Sequence, residues 1–257
     1  MDFDVLERLR ERVAAHDAGV VVTHGTDTMS ESAYYVDLLR DSGVPVVFTG
    51  AQRRPDQPGA DGPANLVAAV TAVEQQAVRS AGGVYVCLNG ELHAARTVVK
   101  GHAWRPDTFE SPGQGPVGAV APGGFERYRE LGSFPTAERP TGDVPIVTLG
   151  IGVGREAIDR ALDAECDGIV LQATGLGNAP EPVADAVADA VDAGVPAVVT
   201  SRCHAGGVAA VYGGGGGHTL EQHGALLAGD LPAPKARIKL LLALESEAAA
   251  AEAFADD

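Results

Sequence analysis

The sequence predicts an α/β protein in two parts: a larger N-terminal domain, residues 1–120, with a mainly parallel sheet flanked by helices, and a smaller C-terminal α/β domain, residues 144–257. Three observations carry this. The apolar runs are continuous rather than alternating, as in "VVVT", "VPVVF" and "GVYVCL", the mark of strands buried on both faces. Helix-like stretches separate them, so successive strands are joined by crossovers. Between Ala121 and Asp143 the periodicity gives way to "APGGFERYRELGSFPTAERPTGD", rich in glycine, proline and charge, which reads as a linker spanning 121–143.

Taken in order, "MDFDVLERLRERVAAHD" is a charged amphipathic helix, unlike a signal peptide. The strand "GVVVTHG" runs into the helix "SESAYYVDLLRDSG", with Ser30 or Ser32 as the expected N-cap. The strand "VPVVFTG", the helix "ANLVAAVTAVEQQAVRSAG" and the strand "GVYVCLNG" follow. Past the linker, "VPIVTLG", "GIVLQATG" and "VPAVVTS" alternate with "REAIDRALDAE" and "EPVADAVADAVDAG", and "KARIKLLLALESEAAAAEAFADD" closes the chain as a helix. "YGGGGGH", residues 212–218, cannot hold one conformation cheaply, so a mobile loop is expected unless a ligand or subunit orders it.

A net charge of -16 repels a phosphate backbone, which argues against nucleic acid as a direct ligand. Lysine occurs only at Lys100, Lys235 and Lys239 among many acidic residues, a balance similar to that of salt-adapted (halophilic) proteins. Cys87, Cys166 and Cys203 are odd in number, far apart and set in or beside apolar runs; they read as small buried hydrophobes rather than disulfides or metal ligands. No apolar run reaches the ~18 residues a membrane span requires.

The chemistry centres on Thr26-Asp27-Thr28, between the carboxyl end of a strand and the start of a helix, where open parallel sheets bind ligands. A threonine hydroxyl is a weak nucleophile until a base takes its proton. Lys100, the one lysine of the first domain, follows the strand "GVYVCLNG" and can reach the same sheet edge, so Thr26, Asp27 and Lys100 form a candidate hydroxyl, carboxylate and ammonium relay. Two plainer readings stand beside it: a Thr-Asp-Thr turn also serves as a helix cap, and His24 suits a hydrogen-bonded neighbour as well as a base. In "VTLGIGVGREAIDRAL", Gly150, Gly152 and Gly154 approximate a dinucleotide fingerprint, but Arg155 stands where glycine or alanine is needed.

The stretches "VVVTHGTDTMSESAYYVDLL", "VVFTGAQRRPDQPGADGPANLVAAV", "TVVKGHAWRPDTFESPGQGPVGAV", "GIVLQATGLGNAP", "VVTSRC" and "GALLAGDLPAPKARIKLLLAL" resemble, in the same order, segments of the bacterial-type (type I/II) L-asparaginases. The resemblance implies the asparaginase-like fold and conversion of L-asparagine to L-aspartate and ammonia through a threonine-dependent acyl-enzyme. Cofactor and metal are not needed, and the implied partner is a small amino-acid amide. It assigns Thr26, Asp27 and Lys100 to catalysis. Gly25 and Ala51, together with Thr26 and Asp27, match positions lining the substrate pocket, and Asn178 matches one that approaches a neighbouring subunit's site. A homodimer or homotetramer in the cytoplasm is the corresponding expectation. One departure concerns the start: the family's N-terminal "GGTI" strand, with its nucleophilic threonine, and the mobile loop after it have no counterpart in the sequence. For the 257 residues alone the expectation is weak or absent hydrolysis, or an insoluble product. Two further readings remain open, an ammonia-supplying subunit of archaeal glutamyl-tRNA amidotransferase and a binding paralogue without activity.

Overall fold

The structure is a computed structural model that describes residues 2–40, 43–121, 124–129, 142–244 and 247–255. Two compact units result, Met1–Ala137 and Glu138–Asp257.

The first unit begins with helix α1 (Phe3–Ala14), whose N-terminus is capped by Asp2: its Oδ1 accepts from the Val5 amide at 2.9 Å. Strand β1 (Val20–Thr23), helix α2 (Met29–Leu39), strand β2 (Val46–Thr49), helices α3 (Gly62–Glu74) and α4 (Gln76–Ala81) and strand β3 (Val84–Leu88) follow. Then come the short strands β4 (Glu91–Ala94), β5 (Val99–Lys100), β6 (Phe109–Glu110), β7 (Gly118–Ala121) and β8 (Gly124–Arg127). The sheet runs β1-β2-β3-β4-β7-β8. β1, β2 and β3 are parallel, as the continuous apolar runs require, with Val20 opposite Val46 and Thr23 opposite Thr49. β4, β7 and β8 extend this sheet antiparallel, and β5 pairs with β6 in a separate hairpin. β8 falls inside the stretch expected to be a linker; residues 130–141 of that stretch lie outside the described residues.

The core of this unit follows from strand alternation. Val47, Tyr85, Cys87 and Leu92 point to one face, where Ala68, Ala69, Ala72 and Val73 of α3 pack on them; the small alanines bring the helix close to the sheet. Burying side chains of this size contributes roughly 1.5–3 kcal/mol each for the valines and leucine. α2 is buried along almost its whole length, and α1 packs against it through Phe3 and Tyr35, ring centroids 5.6 Å apart. The single helix expected over 64–81 is interrupted: Gln75 has ψ 134, ending α3 and starting α4.

The second unit contains strands β9 (Ile146–Thr148), β10 (Ile169–Ala173), β11 (Ala197–Ser201) and β12 (Leu226–Leu227), ordered β12-β11-β10-β9 and parallel throughout. Its helices are α5 (Glu156–Asp163), α6 (Glu181–Asp192), α7 (Gly217–Gln222), α8 (Ala233–Leu242) and α9 (Glu247–Ala253). The closing helix of the sequence is thus two helices. The glycine stretch also differs from expectation, because it is a packed turn. The Gly215 carbonyl accepts from the Ala179 amide at 3.0 Å, the His218 amide donates to the Tyr212 carbonyl at 3.1 Å, and α7 starts at Gly217. A Cβ at Gly215, Gly216 or Gly217 would collide with the backbone of Ala179, Tyr212 or Ala209 respectively, so these glycines permit close approach rather than looseness. Cys87 and Cys166 are buried free thiols as expected, whereas Cys203 is exposed, since it follows the end of β11 in a surface loop. Among the described residues no helix is long and apolar enough to cross a membrane.

Candidate active site

β1 delivers the chain to the site. Its last pairing with β2 is the His24 amide on the Thr49 carbonyl at 2.8 Å, and the turn Gly25-Thr26-Asp27-Thr28 then leads into α2. Because α2 starts at Met29, Ser30 and Ser32 lie inside the helix and neither is its cap. Thr28 holds the N-cap position with no side-chain cap bond among the described residues. Capping therefore does not explain the side chains of this turn. His24 donates from Nδ1 to the Gly25 carbonyl, 2.6 Å away, and its ring lies 5.9 Å from that of Phe48; this is the hydrogen-bonded neighbour, not a base on Thr26.

The hydroxyl, carboxylate and ammonium do converge. Lys100, on β5, donates from Nζ to Thr26 Oγ1 at 2.9 Å and to Asp27 Oδ1 at 2.7 Å, across more than seventy residues of sequence. The lysine side chain is 16% exposed and that of Asp27 is 94% exposed, so the charge pair spans the boundary between protein and solvent. Hydrogen bonding to Lys100, and next its positive charge, hold the Asp27 carboxyl below the ordinary 3.8. Thr26 Oγ1 accepts from Lys100 and donates to Gln52 Oε1 at 3.1 Å. Nε2 of Gln52 is buried with no hydrogen-bond partner among the described residues.

Gln52 is held by a second layer that the motif reading did not reveal. Asp61 accepts from the Gln52 amide at 3.1 Å and the Arg53 amide at 2.9 Å. Asn65, 2% exposed, donates from Nδ2 to the Gly50 carbonyl at 2.9 Å and to Asp61 at 3.2 Å, and accepts the Asn89 amide at 2.9 Å. These bonds join the end of β2, the start of α3 and the turn after β3. The available signal was an Asp ahead of Gly-Pro at a helix start, in "DGPAN", which points to a carboxylate serving backbone amides. Gly50 is required for its own reason: a Cβ there would strike the His24 carbonyl oxygen and Met29.

Gly25 and Ala51 flank this cluster; both are exposed, and no described atom stands within 4 Å of where a Gly25 Cβ would project. Asn178 belongs to the second unit, in an isolated bridge with Thr174; its carbonyl accepts from the Thr174 amide at 3.0 Å and hydroxyl at 2.8 Å, and its Oδ1 is buried without a hydrogen-bond partner among the described residues. Arg155, the residue that breaks the dinucleotide pattern, is engaged by Asp159 at 3.0 Å and Asp189 at 2.9 Å. Among the described residues no group of three or more His, Cys, Asp or Glu is arranged to hold a metal ion.

The family model described as "Asparaginase, N-terminal" matches residues 1–131, and that described as "Glutaminase/Asparaginase C-terminal domain" matches residues 143–254. The chain is 39% identical over 251 residues to a protein of Deinococcus radiodurans named "Probable L-asparaginase", covering 93% of this chain and 74% of that one. It is 34% identical over 231 residues to the L-asparaginase of Bacillus licheniformis, covering 89% and 71%. It is also 35% identical over 260 residues to a glutamyl-tRNA(Gln) amidotransferase subunit of Haloquadratum walsbyi, covering 94% of this chain but 57% of that one. Two family models and relatives at this level of identity give the assignment: the chain belongs to the asparaginase family.

Proposed function

We propose that the protein is an L-asparaginase, an amidohydrolase that converts L-asparagine and water to L-aspartate and ammonia through an acyl-enzyme. The observation that carries this reading is Lys100 Nζ lying within hydrogen-bond distance of both Thr26 and Asp27. As an ammonium, Lys100 cannot take a proton; once neutral it can, and Thr26 Oγ1 is the atom it already touches. In the first half-reaction the attacking oxygen is an enzyme hydroxyl, the role the resemblance gives to the family's N-terminal threonine, and its proton passes through Thr26 to Lys100. The oxygen bonds to the carboxamide carbon, backbone N–H groups receive the developing oxyanion, and the C–N bond breaks as the nitrogen takes a proton and leaves as ammonia. Water then cleaves the acyl ester over the same relay. Asp27 keeps Lys100 in place with one oxygen and offers the other to solvent, where the α-ammonium of an amino-acid substrate would pair with it.

The test is ammonia release from L-asparagine by Thr26→Ala and Lys100→Met variants beside the parent chain. Loss of turnover in both, with folding intact by circular dichroism, supports the relay. Near-parental turnover in Thr26→Ala removes that residue from the mechanism.

A second reading is favoured by one finding, the similarity of nearly the whole chain to the amidotransferase protein of Haloquadratum walsbyi. In that case the same triad would release ammonia from glutamine for a partner. Glutamine turnover that appears only with a partner protein and charged tRNA would establish it.

A further inference from the structure

Lys100 is presented by a support that is weak by itself. β5 and β6 contribute two residues each, and an isolated hairpin of that size is not stable in water. Beyond the pairing of Val99 with Glu110 and Lys100 with Phe109, the tip is closed by the Gly101 amide on the Thr108 carbonyl at 2.7 Å and by reciprocal bonds between Thr108 and His102. The base is closed by side chains. Thr97, two residues before β5, donates from Oγ1 to Ser111 Oγ, one residue after β6, at 3.0 Å. Ser111 in turn meets Nδ1 of His93, on β4 of the main sheet, at 3.0 Å. Ser111 is 4% exposed and His93 1% exposed, so water does not substitute readily for either bond.

The directions of these bonds form one consistent chain. Arg129 approaches Thr97 Oγ1 from Nη2 at 3.5 Å, Thr97 gives its hydrogen to Ser111 at 3.0 Å in preference to the Ala94 carbonyl at 3.4 Å, and Ser111 passes its own to His93 Nδ1. That leaves the ring hydrogen on Nε2, which lies 3.4 Å from Glu91 Oε2, within ion-pair range but without hydrogen-bond geometry. A protonated ring would make both nitrogens donors and strand the Ser111 hydrogen. Burial, and then the Arg129 charge, press the imidazole down to about 4 against the opposing pull of Glu110, so the ring accepts from Ser111 across the neutral range.

Resting on the proposed amide hydrolysis, we infer that Ser111, anchored by His93 and Thr97, is a positioning residue that locks the β5–β6 hairpin to the main sheet and thereby fixes Lys100 against Thr26 and Asp27. Neither Ser111 nor His93 touches the triad. Their effect passes through the lysine.

The test uses the full chain with Ser111→Ala, His93→Leu and His93→Asn, the last retaining an acceptor near the position of Nδ1. Ser111→Ala and His93→Leu should lower kcat about ten- to hundredfold with KM little changed, the scale of a catalytic group displaced by about 1 Å. His93→Asn should recover most of the loss. In a Lys100→Met background, Ser111→Ala should cause no further loss, because residues that act as one unit are not additive. A readout independent of turnover is acylation of lysines by a limiting amine-reactive reagent, resolved by peptide mass. Lys100 should react several-fold faster in Ser111→Ala, relative to Lys239 in the same molecule. Unchanged kcat and unchanged Lys100 reactivity in a folded Ser111→Ala protein would overturn the inference, as would losses that multiply in the double variant. If Lys100→Met itself retains turnover while Ser111→Ala frees Lys100 to react, the hydrolytic role of the lysine fails and the positioning role stands.

Discussion

Replacing Asn65 with alanine removes three hydrogen bonds from a side chain that is 2% exposed. The Gly50 carbonyl loses its side-chain donor, the Asn89 amide loses its acceptor, and Asp61 loses one of its contacts while keeping the Gln52 and Arg53 amides. Orphaning a buried group costs about 1–3 kcal/mol. Asn89 is an exposed residue whose amide water can reach, so its share is the smaller, and the sum is about 2–4 kcal/mol. In urea unfolding followed by circular dichroism this corresponds to a fall of about 1 M in the midpoint of the transition that reports the first unit. Asn65→Asp separates hydrogen bonding from packing. It keeps an acceptor for Asn89, loses both donated bonds and sets a carboxylate against Asp61. The new group is pushed toward its protonated form, so this variant should gain stability relative to the parent as pH falls toward 4. A midpoint within about 0.2 M of the parent for Asn65→Ala, or an Asp variant as stable as the parent at neutral pH, would refute the claim that Asn65 holds the β2–α3 junction.

Asp27 should titrate below 3.8 by NMR of its carboxyl carbon and move up in Lys100→Met. Since folding lowers this pKa, the pair's contribution is fully present above about 3.9 and is lost as pH falls through the lowered value, not as pH rises. Gly50→Ala should reduce turnover and stability together, because the new methyl can be accommodated only by moving the His24 carbonyl at the entrance to the Thr26 turn; unchanged kinetics would mean that the two strand ends separate freely. One thiol per chain, Cys203, should react with a thiol reagent under native conditions and three after denaturation. Cys87 should be the slowest, its thiol pushed up to about 12 by burial, and native reactivity of two or more thiols would contradict the packing of β3 or of the α5–β10 turn.

What the sequence disclosed, and what it hid, divides along the range of the forces involved. The strands β2, β3, β10 and β11 are legible because each is buried on both faces and must be apolar without interruption, whereas the edge strands β1 and β9 are only partly buried and are legible from their valines and isoleucine alone. The strands from β4 to β8 hold two to four residues apiece among glycines and prolines, too few for either period to register, and β4 finds β7 only across the intervening β5–β6 hairpin. Thr26, Asp27 and Lys100 could be connected because lysine is so scarce that one residue had to serve the first domain. Gln52, Asp61, Asn65, His93 and Ser111 gave no comparable signal, since a side chain that bonds a backbone amide or a single hydroxyl leaves no periodicity and no charge pattern. The glycine run shows the same limit in reverse. Composition reports the conformations glycine permits, whereas the carbonyls of Ala179, Tyr212 and Ala209, all within collision distance of an added Cβ, select one of them. The triad is therefore only the readable part of the site. Its geometry is set by hydrogen bonds from side chains outside the motif, and substitutions at those unmarked positions should disturb Lys100 and Thr26 while every residue of the motif remains in place.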